Sequence, residues 1–180
     1  MQITINFEQT YSATFISEDL TEMTFDSPQR DGSSTKILVK ISKHPDPLLP
    51  DVYNLGFGPP DLNGSFLDDV SLQHFDINRV FSSVLFLALV FLDTNSHLTI
   101  GIDGSNDFRA RLYHRMFKHN SIYLAEYFTA IGVDWYVRIF RNGNYEQYED
   151  GTPFAKPRPE LFDYERENRD LYRYYMIKLK

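Results

Sequence analysis

The sequence predicts an α+β domain, a mostly antiparallel sheet with two main helices packed on it. Three observations carry this. Residues 35–43 and 131–139 alternate apolar and polar side chains with the two-residue period of a strand. Two stretches instead carry helix signals, one apolar nearly all round and one amphipathic. Finally, strands come first, then helix, strand, helix and strands again, with no internal repeat.

Taken in order, Ile3, Ile5 and Phe7 alternate with polar residues, and Tyr11 to Ile16 is again apolar-rich. Two short strands joined near Glu8, Gln9 and Thr10 fit that pattern. Residues 26–34, with Pro28, Asp31 and Gly32, read as a loop. In the strand that follows, Ile37, Val39 and Ile41 share one face, and Lys36 and Lys40 guard the other. Prolines 45, 47 and 50 punctuate the chain before a strand over residues 51–58, whose end Gly56 and Gly58 weaken. Residues 59–69 read as a loop. Asp61, Asn63 and Gly64 superficially suggest calcium there, but the glycine stands at position 4 of that loop, where the EF-hand requires position 6.

Asp76 caps a helix running to about Leu92. Its core, Val84 to Leu92, is far short of the roughly 20 residues a bilayer span needs and is read as a buried element. A short strand over residues 97–102 leads through Asp103 and Gly104, with Ser105 or Asn106 as cap, into a helix over residues 107–119. Asn120 and Ser121 break it before a continuation towards Phe128. Then Ile131, Val133, Trp135, Val137 and Ile139 face one way and Asp134, Tyr136 and Arg138 the other. Asn142-Gly143 is a type I′ hairpin signal, with residues 145–149 returning. Residues 152–159 read as loop, 160–170 as a charged segment of open assignment, and 171–179 as a terminal strand. Residues 1–150 thus form a single α+β domain, and residues 151–180 a charged, tyrosine-rich extension packed on it.

The chain has 180 residues and no cysteine, which excludes disulfides, thiolate metal sites and cysteine nucleophiles. With no basic, apolar leader at its start, a cytoplasmic protein without a membrane segment is expected. The net charge of −7 is uneven, with −9 over residues 1–104, 0 over 105–155 and +2 over 156–180. Ten of the 12 tyrosines also lie from Tyr113 onward. Arg and Tyr together are what recognition surfaces favour, although tyrosines also serve to cover a sheet.

The densest polar chemistry runs from Asp103 to Lys118. A helix N-terminus at Gly104 and Ser105 is an anion site in waiting, and Arg109 can clamp a phosphate or carboxylate. At about 100° per residue, Arg109 falls among Phe108, Leu112, Tyr113, Met116 and Phe117. Arg111, Arg115 and Lys118 fall on the outer face. Arg109 then either makes a buried ion pair that fixes the helix or faces a ligand, and the outer stripe is either a solvated face or a contact for nucleic acid or an acidic partner.

Arg109 and His114 match the Arg-x4-His spacing of HEPN ribonucleases, but those folds are all-helical and here the two side chains stand about 140° apart. Gly104-Ser105 after a strand suggests nucleotidyltransferases, yet the next strand offers only Asp134 in place of paired acids. The five histidines show no metal-ligand spacing, so no metal and no cofactor is expected. Nor is there a nucleophile-elbow pattern.

Two segments together, Tyr53-Asn54-Leu55-Gly56-Phe57-Gly58 and Gly104-Ser105 followed by Arg109-x-Arg111-Leu112-Tyr113, resemble a family of small uncharacterised bacterial proteins. The likeness covers roughly residues 35–150. It implies the element order and points again to Arg109 and Arg111, but it implies no activity.

The expected function is therefore a non-enzymatic cytoplasmic binding or accessory protein. It recognises an anionic partner, whether an acidic protein surface, nucleic acid or a nucleotide, through Gly104, Ser105, Arg109, Arg111, Arg115 and Lys118. A toxin–antitoxin or phage-defence module is a setting that suits a chain of this size. The alternatives are a metal-independent ribonuclease using Arg109, Arg111 and His114, and a structural subunit whose exposed aromatics build a homo-oligomer.

Overall fold

The computed structural model describes residues 2–67, 70 and 72–180. Eight strands form one sheet: β1 (Ala13–Ile16), β2 (Glu22–Pro28), β3 (Ser34–Lys43), β4 (Val52–Gly58), β5 (Thr99–Asp103), β6 (Phe128–Val137), β7 (Ala155–Leu161) and β8 (Tyr174–Leu179). Their spatial order is β1-β2-β3-β4-β5-β8-β6-β7. Three helices complete the described chain, α1 (Ile77–Thr94), α2 (Asp107–His119) and the one-turn α3 (Ser121–Leu124). The fold is thus mixed α+β with a mostly antiparallel sheet. The exception is β4 and β5, which pair in parallel because α1 carries the chain back between them.

The pleat assigns the two faces of the sheet. Phe25, Ile37, Val39, Leu55, Ile100, Tyr175 and Ile177 point towards the helices and form the main core with Val80, Val84, Leu85, Ala88, Met116 and Phe117. α1 is long and apolar enough to cross a membrane, but it lies against this sheet with Val80, Ala88 and Leu92 fully covered. The opposite face carries a smaller cluster of Leu49, Val52, Val133, Tyr174 and Met176.

Both main helices start where their caps place them. Asp76 Oδ1 accepts the Arg79 N–H at 3.0 Å, and Asn106 Oδ1 accepts the Arg109 N–H at 2.8 Å. After Asn120 the chain makes only α3 before Phe128 opens β6, so the continuation expected as far as Phe128 is shorter.

The N-terminus departs from expectation. Residues 2–12 form no strand among the described residues and turn once at residues 7–9, where the Gln9 N–H donates to the Asn6 carbonyl at 3.0 Å. Their backbone N–H groups are received by helix side chains instead. Thr4 donates to Asn78 Oδ1, Ile5 to Asn120 Oδ1, Asn6 to Ser82 Oγ, Phe7 to the Tyr123 hydroxyl and Tyr11 to Ser83 Oγ, all at 2.8–3.0 Å. The alternation of Ile3, Ile5 and Phe7 therefore reports a strap lying across helices. It also explains two buried serines in the apolar α1.

Other boundaries shift for local reasons. β2 runs through residues 22–28, taking in part of the expected 26–34 loop, and Pro28 closes it opposite Ser34. The expected loop over residues 59–69 holds where it is described, and Asp68 and Asp69 lie outside the described residues. At Asn142-Gly143 only Gly143 has positive φ (85°), and Phe140 and Asn144 close a three-residue loop, not a type I′ turn. The segment expected to return at 145–149 makes only isolated bridges, Ile139 to Tyr145 and Gln147 to Pro153. The partner of β6 is instead β7, which holds part of the expected 152–159 loop. Pro157 and Pro159 sit within it, tolerated because β7 is an edge strand. Residues 151–180 supply both β7 and β8, and β8 lies inside the sheet between β5 and β6.

Candidate functional site

α2 begins where β5 ends, and the turn between them is tightly held. Asp103 accepts the Ser105 N–H at 2.8 Å on one oxygen and its hydroxyl at 2.9 Å on the other. Gly104 donates to the Arg173 carbonyl at 3.0 Å, and a Cβ there would strike the Tyr175 ring. Asp107 occupies the first helical turn and takes a 2.7 Å ion pair from Arg173. The Gly104 and Ser105 N–H groups that the sequence offered to an anion thus have intramolecular acceptors.

A crevice of about 1380 Å³ opens at the carboxyl ends of β4 and β5, the place where parallel strands usually present their ligands. Both sequence segments singled out above line it. On β4, Tyr53 and Phe57 turn inward onto Phe91 and Phe81, while Asn54, Gly56 and Gly58 turn to the other face. There the Tyr174 hydroxyl donates to Asn54, the Phe66 ring occupies the space over Gly56, and the Leu67 carbonyl that over Gly58. The glycines of this segment are needed for that close packing.

From α2 the crevice receives Arg109, Leu112 and Tyr113. The Arg109 side chain is 25% exposed, with Nη1 3.5 Å from Asp103 Oδ2. It stands at the border of the buried arc, because Ala110, Tyr113, His114, Met116 and Phe117 are the buried residues of α2 while Phe108 is 71% exposed. The covered face is rotated away from Phe108, which places Arg109 at a rim. Tyr113 is nearly covered, edge-on to Phe81 and Tyr175, and burial pushes its phenol up to about 12.

The outer face of α2 differs. Arg111 and Arg115 are exposed and have no hydrogen bond or ion pair among the described residues. Lys118 meets Glu165 at 2.9 Å at the surface. A shallow cleft of about 560 Å³ is lined by His114, Arg115 and Lys118 together with Arg166 and Arg169 of the C-terminal segment. His114 is 5% exposed and packs on Phe162, its Nδ1 has no hydrogen-bond partner among the described residues, and burial holds its pKa below the usual histidine range. Arg109, Arg111 and His114, the trio of the ribonuclease reading, are therefore not gathered in one cavity. Among the described residues, no three His, Asp or Glu side chains are grouped to hold a metal ion.

Sequence reasoning missed Arg166. It bonds both oxygens of Asp134 at 2.9 and 2.6 Å and Glu160 at 2.9 Å, and it lies 3.7 Å over the Tyr172 ring. The Asp134 hydrogen bonds raise its pKa further. This network fastens the segment between β7 and β8 to β6. Nothing local in the sequence announces it, since its partners come from positions up to 38 residues apart, Asp134 to Tyr172.

Residues 8–156 match a family of unknown function, DUF6934, and the chain belongs to that family. No curated protein and no solved structure matches the chain.

Proposed function

We propose that this member of DUF6934 is a binding protein whose partner is a nucleic-acid backbone, taken up on the outer face of α2. The observation that carries the reading is the state of Arg111 and Arg115. They are exposed, make no hydrogen bond or ion pair among the described residues, and stand one helical turn apart, the Arg111 charge acting only on the exposed Asp107 one turn before it. Lys118 extends the row, so that three cations span about 10 Å along one face at 1.5 Å per residue. Around the adjoining cleft, the Lys118–Glu165 and Arg169–Glu167 pairs are largely exposed. Such pairs are worth only about 0–1 kcal/mol, so an incoming phosphate can replace the carboxylate. A row of charges suits a linear polyanion, and it stands in the half of the chain from which the net −7 does not arise.

Fluorescence anisotropy of the full chain with a labelled single-stranded oligoribonucleotide, over a salt series, tests this. Arg111→Ala/Arg115→Ala is expected to weaken binding and to flatten the log–log salt slope by about 1.4, the loss of two phosphate contacts on a single strand. Unchanged affinity and slope would refute the site. Binding of an acidic peptide in place of RNA would redirect the reading to a protein partner. Cleavage of the RNA, lost in His114→Ala, would replace it by ribonuclease chemistry.

A further inference from the structure

We propose that the cleft between α2 and the C-terminal segment reads the 2′-hydroxyl of RNA through His114, so that the polyanion taken up on the outer face of α2 is RNA and not DNA. The inference rests on the reading above and names which nucleic acid it concerns. His114 carries it. The residue lines the cleft, is 5% exposed, and has a covered Nδ1 with no hydrogen-bond partner among the described residues. Buried polar atoms are almost always paired, so an unpaired nitrogen on a residue that lines a cleft marks the place of an absent partner.

The protonation of the ring decides what that partner is. Burial lowers the pKa of the imidazole, so at pH 7 the ring is neutral and carries one proton. The Tyr164 carbonyl draws that proton, and because Nδ1 is the unpartnered nitrogen, the contact assigns it to Nε2. Nδ1 is then a bare acceptor that needs an N–H or O–H donor, which an ionised phosphate cannot be. The cations nearby are turned elsewhere, Lys118 to Glu165, Arg169 to Glu167, and Arg166 to Asp134 and Glu160. His114 stands beside Arg115 and one helical turn before Lys118, so a donor brought to it lies close to the phosphates those two side chains hold. In a nucleic acid the group that adjoins each phosphate is the sugar, and only ribose carries a 2′-hydroxyl able to donate. Opposite α2 the cleft is lined by Glu167, Asn168 and Arg169, all exposed. The Arg169–Glu167 pair yields at little cost, which lets a strand settle against the imidazole.

Fluorescence anisotropy of the full chain with labelled oligouridylate and oligodeoxyuridylate tests this, because the two strands share one base and differ only at the 2′-hydroxyl. The ribo strand is expected to bind about fivefold tighter, the effect of one neutral hydrogen bond. His114→Phe keeps a ring against Phe162 and removes the acceptor, and should bring the two strands to equal affinity. His114→Asn, whose Oδ1 can accept in place of Nδ1, should keep the preference. Equal affinity of the wild-type chain for both strands would overturn the proposal, and that result needs no variant to fold. A preference that survives in a folded His114→Phe would overturn it as well. If wild type shows no preference and Arg111→Ala/Arg115→Ala still weakens both strands, the α2 reading stands and this one falls. Cutting of the ribo strand during the measurement would replace it by chemistry at that hydroxyl.

Discussion

Arg109 and Arg111 stand two residues apart on α2 and meet opposite surroundings. Arg109 sits at the rim of a crevice, three-quarters covered, beside Asp103 and above Tyr113. Arg111 projects into solvent, and two positions in an α-helix separate side chains by about 200°. The comparison shows what decides the use of a guanidinium. Where water is excluded, the charge needs a fixed counterpart and becomes part of the architecture. Where water remains, it costs little, contributes little to folding, and stays available to a mobile anion.

The comparison can be broken by substitutions on the two sides of the helix. Phe117→Ala, on the covered face between Phe162 and Tyr175, is expected to destabilise by about 3–5 kcal/mol in urea unfolding. Asn120→Ala should cost about 1–3 kcal/mol, because it leaves the Ile5 N–H and the Ile3 carbonyl without their side-chain partner. Protease nicking within residues 2–11 should then rise before the rest of the chain is cut. Removing the cap by Asn106→Ala should cost about 1 kcal/mol. Arg111→Ala and Arg115→Ala should each stay within about 0.5 kcal/mol of wild type. If either outer-face variant proved as damaging as Asn120→Ala, the distinction between the faces would collapse.

A pH series sharpens the same contrast. Burial holds His44, His74 and His114 below the usual histidine pKa. The unfolded chain therefore takes up protons at these positions first. The stability tied to their neutral forms is complete above about pH 6.5 and declines as pH falls through the lowered folded values. Asp19, Asp31, Asp107 and Asp150, whose pKa values are lowered by hydrogen bonds, titrate further down and leave this window clear. The urea midpoint should fall on acidification in that window, and His114→Gln should reduce the fall. An unaltered profile in that variant would show that His114 is not among the groups responsible.

How far the sequence foretold this structure depends on where each segment finds its partners. α2 was legible to both ends because Asn106, the 3.6-residue period and Asn120 all lie within the helix or at its borders. The strap over residues 2–11 was not, since its acceptors stand on α1, on α3 and at Asn120 between α2 and α3, 72 to 116 residues away. β7 was hidden by Pro157 and Pro159, which argue against a strand until its edge position is known. The site was legible in outline. Periodicity placed Arg109 on the inner side and Arg111, Arg115 and Lys118 on the outer, but it counted Phe108 at one end of the apolar arc, whereas Phe108 lies outside the buried face.

The most direct test of the two-faced helix is an NMR titration of the nitrogen-labelled full chain with a single-stranded oligoribonucleotide. The account predicts that the amide signals of Arg111, Arg115, Lys118 and Arg169 move together, while those of Ser105 and Tyr113 hold still. Shifts confined to residues 1–104, or none on the outer face of α2, would contradict it.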